Sequence, residues 1–164
     1  MNLLILLVSW LFFLPVGSQD DTVHPTKMVA CLEDPNIMNS VSTDMKTNPY
    51  YLRGDFDGDG RPDFAVAVKG TKSKRNGVLI CLASGVRVIL GADNRTTPPF
   101  SDMHDDNFVA PNWEVATRSD ILAFRKTDRN MSVPKGESIL MVWEDGIHYI
   151  YWDGTKFRWS PMMQ

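Results

Sequence analysis

Short apolar runs separated by turn-forming pairs dominate the middle of the chain. Residues 64–69, 78–83 and 86–90 are three such runs, with Asn76-Gly77 and Ser84-Gly85 at the turns between them. Runs of this length bounded by glycine-containing turns predict β-strands, and a two-residue turn predicts a hairpin. We therefore expect an antiparallel meander. The first two runs are apolar at successive positions, so both faces of this sheet should be covered.

The C-terminal part of the chain shows the same pattern. Five further runs are predicted as strands: residues 113–117, 121–125, 138–143, 147–152 and 156–159. Asp145-Gly146 and Asp153-Gly154 separate the last three runs at hairpin spacing, which makes these three the stronger predictions.

The remaining segments carry weaker signals. Residues 19–28 are predicted to be a loose leader, and residues 36–45 a short helix. Residues 91–112 are rich in Asp, Asn, Pro and Thr and are predicted to form a long loop, a type of segment that is often functional. The predicted fold is mainly β, with α+β as the alternative. It is a single compact antiparallel β domain with little helix.

The N-terminus has the composition of an export signal. Residues 3–14 form a largely apolar run of twelve residues, too short to span a bilayer comfortably. Val16 and Ser18 occupy positions minus three and minus one of a cleavage site, so we predict a signal peptide over residues 1–18 and one domain over residues 19–164. An uncleaved anchor is the alternative. No second apolar stretch reaches spanning length, so we expect no membrane span after cleavage and a periplasmic or secreted protein.

The chain has two cysteines, Cys31 and Cys81. An even number of cysteines in an oxidising compartment favours a disulfide, and two buried free thiols are the alternative. A bridge that closes a loop of about fifty residues should stabilise the fold by roughly 4 kcal/mol on the chain-entropy estimate.

The most specific feature of the chain is the loop over residues 55–63, Asp-Phe-Asp-Gly-Asp-Gly-Arg-Pro-Asp. It places Asp55, Asp57, Asp59 and Asp63 at loop positions one, three, five and nine. Alternate residues of a tight turn can point carboxylates at one centre, and Ca²⁺ takes six to eight oxygen ligands. The loop has a net charge of −3, equal to the formal net charge of the whole chain. Without a cation the converging carboxylates would repel one another. We predict a Ca²⁺ site, with a solvated Asp-Gly turn as the alternative.

Two more loop residues fit this prediction. Gly60 at position six permits a sharp turn, because it has no Cβ to clash at positive φ. Arg61 at position seven would contribute its main-chain carbonyl. An EF-hand would require a bidentate Glu at position twelve, and this chain has Val66 there, inside an apolar run. The sequence therefore predicts a calcium loop followed by a strand.

Residues 54–68 resemble the calcium loop of FG-GAP and VCBS repeats, which occur in integrin α-chain propellers and in exported bacterial proteins. The resemblance implies a ligand set made of the side chains of Asp55, Asp57, Asp59 and Asp63 and the carbonyl of Arg61. A propeller needs several blades, and this chain has one copy of the loop and is too short. Residues 151–159 are also loosely similar to the C-terminus of small exported bacterial proteins of unknown function.

The C-terminal hairpin is rich in aromatic residues. Alternation along a strand places Tyr149 and Tyr151 on one face and Ile150 and Trp152 on the other. Such rings either pack across strands in a core or form a surface for a protein or glycan partner. The candidate partner surface comprises Tyr149, Tyr151, Trp152 and Trp159.

Two polar segments are weaker candidates. Lys69, Lys72, Lys74 and Arg75 form a basic turn, but it lacks interleaved aromatics and the chain is acidic overall, so we expect no nucleic-acid partner. His104 lies among three aspartates in a spacing that matches no zinc site, and an exposed polar loop is favoured there.

These features predict an exported, non-enzymatic calcium-binding protein in which the metal is structural. Two alternatives are compatible with the same features. One is an envelope inhibitor or immunity-type protein that binds a partner through the aromatic hairpin. The other is a metal-dependent hydrolase that uses His104 with Asp55 or Asp63. The chain has no recognisable enzyme signature.

Overall fold

The structure is a computed structural model and describes residues 25–92, 112–126, 131–143 and 146–160. Within these ranges the chain forms three short helices: α1 (Thr26–Leu32), α2 (Pro35–Ser40) and α3 (Arg118–Arg125). It also forms nine strands: β1 (Val41–Thr43), β2 (Tyr51–Gly54), β3 (Asp63–Gly70), β4 (Asn76–Cys81), β5 (Arg87–Gly91), β6 (Asn112–Ala116), β7 (Ser138–Trp143), β8 (Gly146–Trp152) and β9 (Phe157–Trp159). All strand pairs are antiparallel, which confirms the predicted mainly β fold.

The first sheet is built around β3. Strands β4 and β5 follow on one side of β3, and β1 and β2 both pair with its other edge, one after the other. Seven of the eight residues of β3 are buried, because both faces of the sheet are covered. The predicted meander of β3, β4 and β5 is confirmed. The chain reverses between the last two strands at Ser84-Gly85, where Leu82 donates to the Val86 carbonyl at 2.9 Å.

The second sheet has the order β6-β7-β8-β9. Its inner face packs on the first sheet through a core that includes Ile139, Ile150 and Trp113. The other face of the first sheet is covered by α1 and α2 through a second cluster that includes Met28 and Ile37. The successive layers are therefore α1 and α2, the first sheet, the second sheet, and α3, which covers the outer face of the second sheet through a third cluster.

The predicted strand over residues 121–125 is wrong, because this segment belongs to α3. Thr117 caps the helix: its hydroxyl accepts from the Asp120 N–H at 3.3 Å, and the Asp120 carboxylate accepts from the Thr117 N–H at 3.0 Å. Ile121 and Phe124 are buried on one side, at the three-residue spacing of a helix face.

The segments before the 55–63 loop also differ from their predictions. The helix predicted over residues 36–45 is only the six residues of α2, and the chain continues as β1 from Val41. The predicted loose leader overlaps α1, which begins at Thr26. Strand β2 was not predicted, because it is only four residues long and includes Arg53 and Gly54; it pairs with β3 directly across the 55–63 loop.

Cys31 and Cys81 form a disulfide, which confirms the predicted pairing. Their Cα atoms lie 6.1 Å apart, and the bridge joins α1 to the end of β4 inside the second cluster, between the helices and the first sheet. No helix in the described parts of the chain has the length and apolar character needed to cross a bilayer. The predicted signal peptide and most of the predicted 91–112 loop, with His104, lie outside the described residues.

The Asp153-Gly154 turn between β8 and β9 is held by one carboxylate. Asp153 Oδ1 accepts from the N–H groups of Thr155 and Lys156 at 2.8 and 2.9 Å, and Oδ2 accepts from Arg158 Nε at 2.5 Å. Burial opposes the charged form, but these hydrogen bonds prevail and hold the pKa of Asp153 well below its usual range.

Replacing both cysteines with serine should lower the free energy of unfolding by about 4 kcal/mol, because the unfolded chain then regains the entropy of an open loop. Urea unfolding of the oxidised protein and of the double variant measures this difference. Reduced wild-type protein is the control and should match the variant. Equal stability of the oxidised protein and the double variant would contradict the expectation.

Replacing Asp153 with Asn should lower the free energy of unfolding by about 1–2 kcal/mol at pH 7, because charge-assisted hydrogen bonds are lost. The pKa is lowered in the folded state, so the carboxylate stabilises fully above the unfolded pKa of about 4 and less as the pH falls further. Urea unfolding from pH 7 to pH 2.5 measures the difference in free energy of unfolding between wild type and Asp153→Asn. This difference should become smaller below about pH 4.

Glu114→Gln removes an exposed carboxylate from β6 and serves as the control. If wild type remained more stable than Asp153→Asn by the same free energy down to pH 2.5, the lowered pKa of Asp153 would be contradicted.

Candidate metal centre

The 55–63 loop is the connection between β2 and β3. These strands pair up to the ends of the loop, where Gly54 lies opposite Asp63, so both ends are fixed by the sheet. Two glycines make the tight path possible, since Gly58 and Gly60 have φ of 78° and 80°. The loop therefore reverses the chain between β2 and β3 within nine residues.

Three of the four predicted carboxylates converge. Oxygens of Asp55, Asp57 and Asp63 all lie within 4.8 Å of one another. Burial raises the pKa of Asp57 above its usual value, and the neighbouring charges of Asp59 and Asp55 raise it further. Hard oxygen ligands at this spacing are chemically suited to a divalent cation such as Ca²⁺, which would favour their charged forms.

The Asp55 carboxylate organises the loop around itself. Its Oδ1 accepts from the N–H groups of Gly58 and Asp59 at 2.9 and 3.0 Å, and its Oδ2 accepts from Gly60 at 3.0 Å. The side chain of the first loop residue thus fixes the path of the next five. This local wrapping follows from the Asp-x-Asp-x-Asp-Gly spacing, because Asp side chains readily bond backbone N–H groups a few residues further on.

Asp63 is completely buried, with 0% of its surface exposed. Its Oδ2 accepts from the N–H groups of Phe56 and Asp57 at 2.8 and 3.4 Å, and its Oδ1 accepts from Ala83 at 2.7 Å. Burial raises the pKa of Asp63, although the hydrogen bonds from Ala83 and Phe56 oppose the rise. One carboxylate therefore ties the start of the loop to the turn that follows β4.

Asp59 is paired with Arg61, and its role as a metal ligand stays a prediction. Its carboxylate is not in the converging group of three, and its Oδ2 accepts from Arg61 Nε at 2.8 Å and also from Nη2. The hydrogen bond from Arg61 lowers the pKa of Asp59. Arg61 was predicted to contribute only its main-chain carbonyl, whereas its guanidinium also pairs with the carboxylate of Asp59.

Glu137 is a residue of the site region that sequence reasoning missed. Its Oε2 accepts from the Asp55 N–H at 2.8 Å across a separation of 82 residues. No local pattern could have identified it, since it stands alone before β7 and is brought to the loop only by the packing of the two sheets.

The aromatic hairpin is largely core. Tyr149 and Tyr151 are only 7% and 3% exposed and pack beneath α3, where Phe124 lies 5.0 Å from the Tyr149 ring centre. The candidate partner surface is therefore wrong for these two tyrosines, because α3 covers their face of the sheet. Trp152 and Trp159 are partly buried and pack against the core between the sheets.

The basic segment is the tip of the β3–β4 hairpin. Lys72 and Lys74 are exposed, and Lys74 Nζ donates to the Thr71 carbonyl at 2.8 Å. Lys69 pairs with Asp44 at 3.2 Å. These local contacts agree with a solvated hairpin tip.

Comparison of the chain with protein-family models, with curated proteins and with solved structures finds no match. The function has to be inferred from the chemistry of the loop and its surroundings.

Replacing Asp63 with Ala should lower the free energy of unfolding in calcium-free buffer by about 2–4 kcal/mol, because the N–H groups of Phe56 and Ala83 lose their buried acceptor. Replacing the exposed Asp59 with Ala is the matched control and should have little effect. Chemical denaturation of both variants measures the difference. Equal losses of unfolding free energy would contradict the role of Asp63 as the buried acceptor that joins the loop to the turn after β4.

Proposed function

We propose that this is an exported, non-enzymatic protein that binds one Ca²⁺ in the 55–63 loop, and that the metal stabilises the fold. The observation that carries the proposal is the convergence of the Asp55, Asp57 and Asp63 carboxylates around one centre. Two of these groups have raised pKa values, so their charged forms are costly in the folded chain unless a cation balances them.

The proposed ligands are the three converging carboxylates, since Asp59 is paired with Arg61. Asp55, Asp57 and Asp63 would hold the ion, with further oxygens from the Arg61 carbonyl and from water. Asp59 would join them only by leaving its pair with Arg61. When bound, Ca²⁺ supplies charge balance and holds the loop against β3. The protein residues position the oxygens and keep the buried carboxylate hydrogen-bonded.

Location outside the cytoplasm supports the same function. The Cys31–Cys81 disulfide favours an oxidising compartment, as does the apolar N-terminal run. Extracellular calcium modules bind with dissociation constants of roughly 10⁻⁴–10⁻³ M. Sites of this affinity would stay empty at cytosolic calcium concentrations. We therefore propose a periplasmic or secreted protein.

Saturating calcium should raise the melting temperature. At 10 mM Ca²⁺ a site of this class adds about 1.4–2.7 kcal/mol to stability, which is roughly 5–10 °C for a domain of this size. Differential scanning calorimetry with 10 mM CaCl₂ or with excess chelator measures the shift.

The double variant Asp55→Asn/Asp57→Asn should lose this shift, whereas Glu114→Gln, which removes an exposed carboxylate from β6, should keep it. Identical wild-type melting curves in calcium and in chelator would refute the proposal.

A further inference from the structure

The calcium loop is joined to the second sheet by a reciprocal pair of hydrogen bonds. The Glu137 N–H donates to the Asp55 carbonyl at 2.8 Å, and the Asp55 N–H donates to Glu137 Oε2 at 2.8 Å. Asp55 is the first residue of the loop, and Glu137 directly precedes β7. These bonds therefore connect the start of the loop to the start of a central strand of the other sheet.

The two segments also touch backbone to backbone. A Cβ atom on Gly136 would lie 2.2 Å from the Asp55 carbonyl oxygen and 2.6 Å from the Gly58 nitrogen. A Cβ on Gly58 would lie 2.5 Å from the Lys135 carbonyl oxygen. Such distances leave no room for a side chain, so each glycine permits the approach of the other segment.

The rest of the second sheet holds this segment in place. Lys135 donates its N–H to the Trp152 carbonyl of β8 at 3.0 Å. On the loop side, Phe56 is 1% exposed and packs in the core shared by both sheets. Glu137 also lines the same shallow groove as Asp55 and Gly60. Segment 135–137 thus packs against the loop on one side and is hydrogen-bonded to β8 on the other.

We propose that Glu137 is a positioning residue for the calcium site, and that calcium binding and the order of segment 135–137 are coupled. The inference rests on the proposed function. Glu137 fixes the backbone of Asp55, and Asp55 in turn fixes the next turn of the loop through its carboxylate. A partner that orients a ligand residue changes metal affinity without touching the metal. Coupling between two sites is reciprocal, so the metal must also tighten the segment that orients the loop.

The test uses the full-length, disulfide-bonded protein and CaCl₂ as the ligand. Isothermal titration should give a dissociation constant about tenfold weaker for Glu137→Ala than for wild type. Glu137→Gln keeps an acceptor oxygen for the Asp55 N–H and should stay within about threefold of wild type. Glu114→Ala removes an exposed carboxylate from β6 and should leave the affinity unchanged.

Hydrogen exchange supplies a second measurement on wild type alone. Calcium should slow amide exchange in segment 135–137 at least tenfold, whereas β5 at the far edge of the first sheet should respond less. This measurement decides the question if Glu137→Ala does not fold.

The outcomes separate the two proposals. Wild-type affinity in Glu137→Ala would overturn the positioning role and leave the calcium site standing, as would equal weakening in Glu137→Ala and Glu137→Gln. Calcium binding with no change of exchange in segment 135–137 would overturn the coupling. A wild-type protein that binds no calcium would overturn the proposed function, and this inference with it.

Discussion

The fold around the loop depends on one buried carboxylate, that of Asp63. Both of its oxygens accept backbone N–H groups, from Phe56 and Asp57 on one side and from Ala83 on the other. An amide in its place would turn a donor toward one of these donors, so only a carboxylate satisfies both directions. Burying the charge remains costly, and a cation beside it would offset that cost.

The loop also contacts both sheets. Asp63 fastens it to the first sheet, and the hydrogen bonds between Asp55 and Glu137 fasten it to the second. Phe56 fills the core between them. A metal bound here would stabilise the packing of one sheet on the other in addition to the loop itself.

Some of the differences from expectation could have been avoided. Thr117 and Asp120 form a capping box that is visible in the sequence, and Ile121 and Phe124 have helical spacing. The alternation of Tyr149 and Tyr151 was sound, and both rings lie on one face of β8. Whether that face is exposed to solvent depended on α3, whose residues had been predicted to form a strand.

The sequence by itself determined the features that depend on neighbours along the chain. These are the β runs, the glycine turns and the loop spacing. The even cysteine count favoured the disulfide, but the approach of Cys31 to Cys81 over fifty residues depended on the fold. Only the tertiary structure decided that α3 covers Tyr149 and Tyr151, and that Glu137 reaches the loop from 82 residues away. The physical reason is range: turns and Asp-to-backbone bonds are local, whereas burial and contacts between sheets depend on which surfaces the folded chain brings together.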